Sequence, residues 1–212
     1  MLKTFLALGD SYTIGEQVLT RDSFPYQTVQ LLRKTGMDLT APEIIAKTGW
    51  TTDELNAAIQ KTTFLNSYDI VTLLIGVNNQ YRGRSIKEFE KEFDVLLQIA
   101  KYLAGQKADH VYVLSIPDWG VTPFAAAPQA SGEKRDPEKI SEQITAYNEV
   151  VTAITKRRGC NFIDITAAQR RDANLAEMIA PDGLHPSRAE YEKWAEKLAV
   201  LILSAHSAGS GR

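Results

Sequence analysis

Short apolar runs alternate along this chain with longer stretches in which apolar residues recur every three or four positions. The runs are Phe5-Leu6-Ala7-Leu8, Glu43-Ile44-Ile45-Ala46, residues 70–75, residues 111–116 and residues 161–165. Each has the length of a strand, and strands buried on both faces read as continuous apolar segments of this kind. The periodic stretches predict helices. Val29 and Leu32 mark one that starts after Ser23 and stops at Gly36, and Leu55, Ala58 and Ile59 mark the next. Phe89, Phe93, Leu96, Leu97 and Ala100 form a third stripe, and Ile140, Ile144, Tyr147, Val151 and Ile154 a fourth. Tyr191, Trp194, Leu198, Leu201 and Ile202 form the last. Three Ser/Thr-x-x-Glu strings, at Thr51, Ser85 and Ser187, read as capping boxes, and Asp136-Pro137-Glu138 as a capped start with proline in the first turn. Residues 117–135 show no period and read as a long loop of the kind that belongs to a binding site.

The resulting order is strand then helix, five times over, with no internal repeat and no linker. Crossovers of that length require a parallel sheet with helices on both faces. The expected fold is therefore α/β, a three-layer α/β/α sandwich around a flavodoxin-like five-stranded parallel sheet of order 2-1-3-4-5. A single domain over residues 1–206 is expected, with residues 207–212 as a disordered tail. In this arrangement the loops after strands 1, 2 and 3 gather at one edge, and open α/β sheets bind ligands at that edge.

Composition narrows the class. The 212 residues are 44% hydrophobic, enough for one substantial core, and the formal charge of -2 gives no reason to expect nucleic acid as a partner. No apolar run approaches a membrane span, and Phe5–Leu8 is broken by Gly9-Asp10 too early for a signal-peptide core. With one cysteine, Cys160, there is no internal disulfide, and a cytoplasmic chain is expected. Cys160 itself reads as a small core residue. No His/Cys/carboxylate cluster has metal-ligand spacing, so neither metal nor cofactor is expected.

The candidate chemistry lies where the strands end. Strand 1 delivers Gly9-Asp10-Ser11-Tyr12, strand 2 Gly49, strand 3 Gly76-Val77-Asn78-Asn79, and the loop before the last helix Asp182-Gly183-Leu184-His185. Any of these alone is explained by a turn. Together they supply what acyl transfer needs: a hydroxyl nucleophile, a base, a group that orients the base, and donors for an oxyanion. Ser11 is the candidate nucleophile, His185 the base and Asp182 its orienter, since three residues of chain span at most about 10 Å. The Ser11 and Gly49 backbone N–H groups and the Asn78 amide are the candidate oxyanion donors. His110 and His206 lie away from every candidate site.

These four blocks, in this order from residue 9 to residue 185, resemble those of the SGNH (GDSL) hydrolases. The resemblance implies a flavodoxin-like α/β/α fold, metal-independent hydrolysis of esters or thioesters, and the same roles for Ser11, Gly49, Asn78, Asp182 and His185. The chain departs from the family pattern twice: Tyr12 replaces the usual Leu after the serine, and Asn79 the usual Asp after the block-three Asn. The expected substrate is a small-molecule ester with a short acyl group. Alternatives are a lysophospholipase or acyl-thioesterase acting on longer chains, a carbohydrate O-deacetylase, and a flavodoxin-like module that binds without catalysis. Trp50, Tyr81, Arg82 and Trp119 follow strands 2, 3 and 4 and are candidate substrate-binding residues, although Arg82 also reads as part of a solvated basic turn.

Overall fold

A computed structural model describes residues 2–129, 131–172 and 175–209. Strands β1 (Phe5–Gly9), β2 (Glu43–Ala46), β3 (Ile70–Leu74), β4 (Val111–Leu114) and β5 (Asn161–Ile163) form one sheet in the order β2-β1-β3-β4-β5. Every pairing is parallel, as the crossover lengths require. Gly9 pairs with both Ala46 and Leu74, so β1, β2 and β3 end level and release their following segments side by side.

Helices in chain order are α1 (Ser11–Ile14), α2 (Phe24–Lys34), α3 (Thr52–Ile59), α4 (Val77–Tyr81), α5 (Ile86–Leu103), α6 (Pro123–Ala126), α7 (Pro137–Arg157), α8 (Thr166–Asp172) and α9 (Arg188–Gly209). Helix α2 packs on α9, with the Phe24 and Trp194 rings 6.2 Å apart. Helix α5 packs on both α3 and α7, and the Phe89 ring lies 4.5 Å from that of Tyr147. These two helical layers bury β1, β3 and β4, every residue of which is buried. No described helix is long and apolar enough to cross a membrane.

The structure corrects several local expectations. Strands 4 and 5 end two residues early, at Leu114 and Ile163. Side chains replace the ladder there: Ser115 Oγ accepts from Ile165 and Thr166 N–H, and the Asn148 amide brackets both the N–H and the carbonyl of Ile116. The Thr51 capping box forms, but Ser85 makes no side-chain cap. At Ser187 only half the box forms. Its hydroxyl accepts from Ala189 and Glu190 N–H, while the Glu190 carboxylate turns inward to accept from Trp194 Nε1 at 2.9 Å. The stretch 117–135 is not structureless, since it holds a turn of 3₁₀ helix (Trp119–Val121) and α6. Helix α9 continues through 207–209, which the sequence reading placed in the tail, and 210–212 lie outside the described residues.

Candidate active site

Gly9 ends β1 for a steric reason. A Cβ there would lie 2.1 Å from Thr13 Oγ1 and 2.5 Å from the Leu74 carbonyl, so the glycine permits α1 and β3 to close on it. Asp10 caps α1, its Oδ1 accepting from Tyr12 N–H at 3.0 Å. Only 1% of Asp10 is exposed, and burial pushes its carboxyl from 3.8 up to about 7 against the opposing pull of the backbone N–H bonds. The cap turns the chain at once, so that Ser11, the first residue of α1, faces the cavity beyond the strand end.

Tyr12 packs behind it. Its ring lies 5.3 Å from the His185 ring at 51° and 6.3 Å from that of Trp194. Among the described residues its buried hydroxyl has no hydrogen-bond partner. Burial, then the charges of Asp10, Asp182 and Asp118, push that phenol far up.

Asp182 and His185 meet through a local turn. Gly183 adopts φ +72°, and Asp182 Oδ1 then accepts from the N–H groups of Leu184 at 2.9 Å and His185 at 3.0 Å. Its other oxygen, Oδ2, receives His185 Nδ1–H at 2.5 Å. Burial raises the Asp182 carboxyl, but the His185 ring and these two backbone N–H groups outweigh it, and the net value falls below the usual carboxylate range. The tautomer is thereby fixed with the proton on Nδ1, leaving Nε2 as an acceptor. Ser11 and His185 line the same cavity, although among the described residues no hydrogen bond joins the serine hydroxyl to the imidazole. Such bonds are often long in unliganded sites and tighten with substrate.

The opposite wall comes from the ends of β2 and β3. Gly49 adopts φ +84°, and its carbonyl is held by Arg82 Nη2 at 2.6 Å. Asn78 belongs to α4, a short helix that the sequence reading had as loop. Gly76 makes it possible: at φ +129° it turns the chain, and a Cβ there would meet Phe89 and Ile116 at 2.7 Å. Asn78 Nδ2 donates to the Trp50 carbonyl at 3.0 Å, and its second amide hydrogen remains for the cavity. Asn79 is buried, accepts from Thr52 N–H at 3.1 Å and donates to Thr52 Oγ1, which in turn donates to Glu92. An aspartate at 79 could not donate to that hydroxyl and would set a second carboxylate against Glu92. The amide therefore suits this neighbourhood, and the residue stands behind the cavity wall.

The cavity holds about 190 Å³ and is lined by Ser11, Gly49, Asn78 and His185 together with aromatic and apolar side chains. Of the four candidate substrate-binding residues, it includes Tyr81 and Trp119 and not Trp50 or Arg82. Trp50 is half-buried against the core and offers its carbonyl to Asn78. Arg82 reaches back to Gly49 and Glu54, with Nη1 3.2 Å from the Glu54 carboxylate, so it braces the Gly49 loop. Trp119 is fixed by its Nε1–H to Gln80 Oε1 at 2.6 Å, and the Tyr81 ring stands edge-on to it at 5.4 Å. Sequence reasoning missed Phe124 and Leu184, which complete the apolar side. Pro123 at a helix start was the available signal for Phe124; nothing in the pattern showed that the ring turns inward. Larger depressions exist elsewhere, but they are open and lack this convergence of a hydroxyl, an imidazole and amides. His110 sits at the far ends of the strands, near Asp69. Cys160 is half-buried, and burial pushes its thiol up to about 11, which suits a packing role.

A sheet of this topology brings a hydroxyl, a carboxylate-held imidazole and amide groups to its carboxyl edge, the kinds of group that acyl transfer requires. The GDSL-like Lipase/Acylhydrolase family model matches residues 7–193, and the chain belongs to that family. As a member it is an ester-bond hydrolase. Solved structures share the fold at low identity. A structure of TesA is 18% identical with a TM-score of 0.70, covering 96% of this chain and 99% of that one. The lipase/acylhydrolase from Enterococcus faecalis is 17% identical with a TM-score of 0.73, covering 95% and 96%. Axe2, an acetylxylan esterase from Geobacillus stearothermophilus, is 18% identical with a TM-score of 0.71, covering 94% of each chain. No curated protein matches the chain.

Proposed function

We propose that the chain is a serine esterase for short-acyl carboxylic esters, working through an acyl-enzyme on Ser11. The carrying observation is the convergence of Ser11, Gly49, Asn78 and His185 on one cavity, with Asp182 bonded to the far side of the imidazole. Ser11 Oγ attacks the acyl carbonyl as His185 Nε2 takes its proton. The imidazolium is steadied by Asp182 and then returns the proton to the departing alcohol. Water repeats the sequence and releases the acid. Charge developing on the carbonyl oxygen is met by the N–H groups of Ser11 and Gly49 and by Asn78 Nδ2, a donor of this type contributing about 3 kcal/mol.

The cavity size supports the short-acyl reading. Trp119, Phe124 and Leu184 close its apolar side, and 190 Å³ is below the usual range for drug-sized ligands. In a p-nitrophenyl ester series, kcat/KM should peak between C2 and C4. A maximum at C8 or beyond would favour a lysophospholipase or acyl-thioesterase. Carbohydrate O-deacetylation is a second reading, favoured by the Tyr81 ring, 54% exposed at the cavity mouth, where a sugar face can stack. Release of acetate from an acetylated oligosaccharide, faster than from a p-nitrophenyl ester at equal concentration, would select it.

A further inference from the structure

The Phe124 ring in the cavity wall packs on the Trp119 ring at 6.1 Å and is also held by Arg135. Arg135 lies just before the cap of α7, where Asp136 Oδ1 accepts from Lys139 N–H at 3.0 Å. From that anchored position its guanidinium reaches back over α6. Nη1 donates to the carbonyls of Phe124 at 2.9 Å and Ala127 at 3.1 Å, and the guanidinium carbon sits 4.1 Å from the centre of the Phe124 ring. The same residue is tied on its other side, since Phe124 N–H donates to the Gly183 carbonyl at 2.9 Å, within the turn that carries Asp182 and His185. Phe124 is thus clamped between a cation outside the cavity and the histidine loop, with its ring in the wall.

We infer that Arg135 is the positioning residue that sets the acyl length the cavity accepts, by latching Phe124 into the wall. Three features make it a latch and not a general brace. The wall residue that its guanidinium both bonds and covers is Phe124. Its two carbonyl acceptors are both on α6 and its exit, so losing them frees that segment alone. The cation over the ring adds a contact that only a planar or ammonium cation over an aromatic face provides. With the latch removed, α6 remains attached at Thr122 and through the Gly183 carbonyl, and Phe124 can swing outward on those supports. The catalytic geometry stays while the apolar end of the cavity opens. This inference rests on the esterase reading and concerns a residue outside the proposed chemistry.

The experiment compares wild type, Arg135→Gln, Arg135→Lys, Phe124→Ala and the Phe124→Ala/Arg135→Gln double variant on p-nitrophenyl acetate, butyrate, hexanoate and octanoate. Arg135→Gln should raise the octanoate-to-acetate ratio of kcat/KM about tenfold, with acetate turnover within twofold of wild type. Arg135→Lys, which keeps a cation but cannot donate in the same plane, should give an intermediate ratio. In the Phe124→Ala background the arginine change should leave the ratio unmoved, because the residues act through one contact. Hydrogen exchange, which needs no activity, should speed up in 122–127 of Arg135→Gln and stay constant in β1 and β3. Wild-type esterase activity with an unchanged ratio in Arg135→Gln overturns the latch alone, as does unchanged exchange in 122–127. Inactivity of every protein, wild type included, toward the whole series overturns the esterase reading and the latch with it.

Discussion

Replacing Asp10 by Asn should change the pH dependence of stability in a direction that few carboxylates produce. Asp10 is 1% exposed, and burial raises its carboxyl from 3.8 to about 7. A raised value means that the folded state prefers the protonated form. The contribution of Asp10 is therefore complete below about pH 4 and disappears as pH climbs through 7. The gap of about three pH units, at about 1.4 kcal/mol each, sets a ceiling of about 4 kcal/mol on the loss. Relaxation around a buried charge reduces it, and about 1 to 2 kcal/mol between pH 5 and 7.5 is expected. Asparagine keeps an oxygen for the Tyr12 N–H bond and does not titrate. Urea unfolding of both proteins from pH 4.5 to 7.5 isolates the effect, because carboxylates with lowered values, such as Asp94 and Asp182, cancel in the comparison. The stability of Asp10→Asn relative to wild type should rise steadily with pH. A difference that stays flat or falls would refute the reasoning.

Other substitutions probe the same region. Tyr12→Phe removes a buried hydroxyl that has no partner among the described residues, and should stabilise by about 1 kcal/mol, raising Tm by about 2–4 °C in a thermal melt. Asn78→Ala should lower kcat by about 10²- to 10³-fold while the circular dichroism spectrum is unchanged; a loss expressed only in KM would count against an oxyanion role. Asp182→Asn should cost a thousandfold or more in kcat, because an amide in that place can favour the wrong imidazole tautomer. Near-wild-type turnover in that variant would remove Asp182 from the mechanism.

How much of this could be read from the chain differs from element to element, for physical reasons. Crossover length dictated the parallel sheet, and the order 2-1-3-4-5 was the flavodoxin-like choice among the few doubly wound arrangements that βαβ connections leave. The level ending of β1, β2 and β3 then brought Ser11, Gly49 and Asn78 together, as their positions after apolar runs implied. Asp182 and His185 were legible because their contact is local, within one turn. Features decided by tertiary partners were not. Helix α4 has five residues, too few to show a period, and depends on Gly76 fitting against Phe89. Arg82 and Trp50 had the position of wall residues, yet the Gly49 carbonyl and the Asn78 amide claim them from behind. The Ser187 box is half-formed because Trp194, seven positions on, competes for Glu190. Phe124 came from a stretch without periodicity, and its inward turn depends on Gly183 and Arg135, distant in sequence or unpatterned.

The central claim is that Ser11 is a nucleophile activated by His185. A fluorophosphonate probe followed by intact-mass spectrometry tests it most directly, since the reagent needs the activated serine and no knowledge of the natural ester. Wild type should gain one adduct, mapped to the peptide containing Ser11, while folded Ser11→Ala gains none and His185→Ala labels at least a hundredfold more slowly. A folded wild-type chain that stays unlabelled, or one labelled at a serine other than Ser11, would contradict the account.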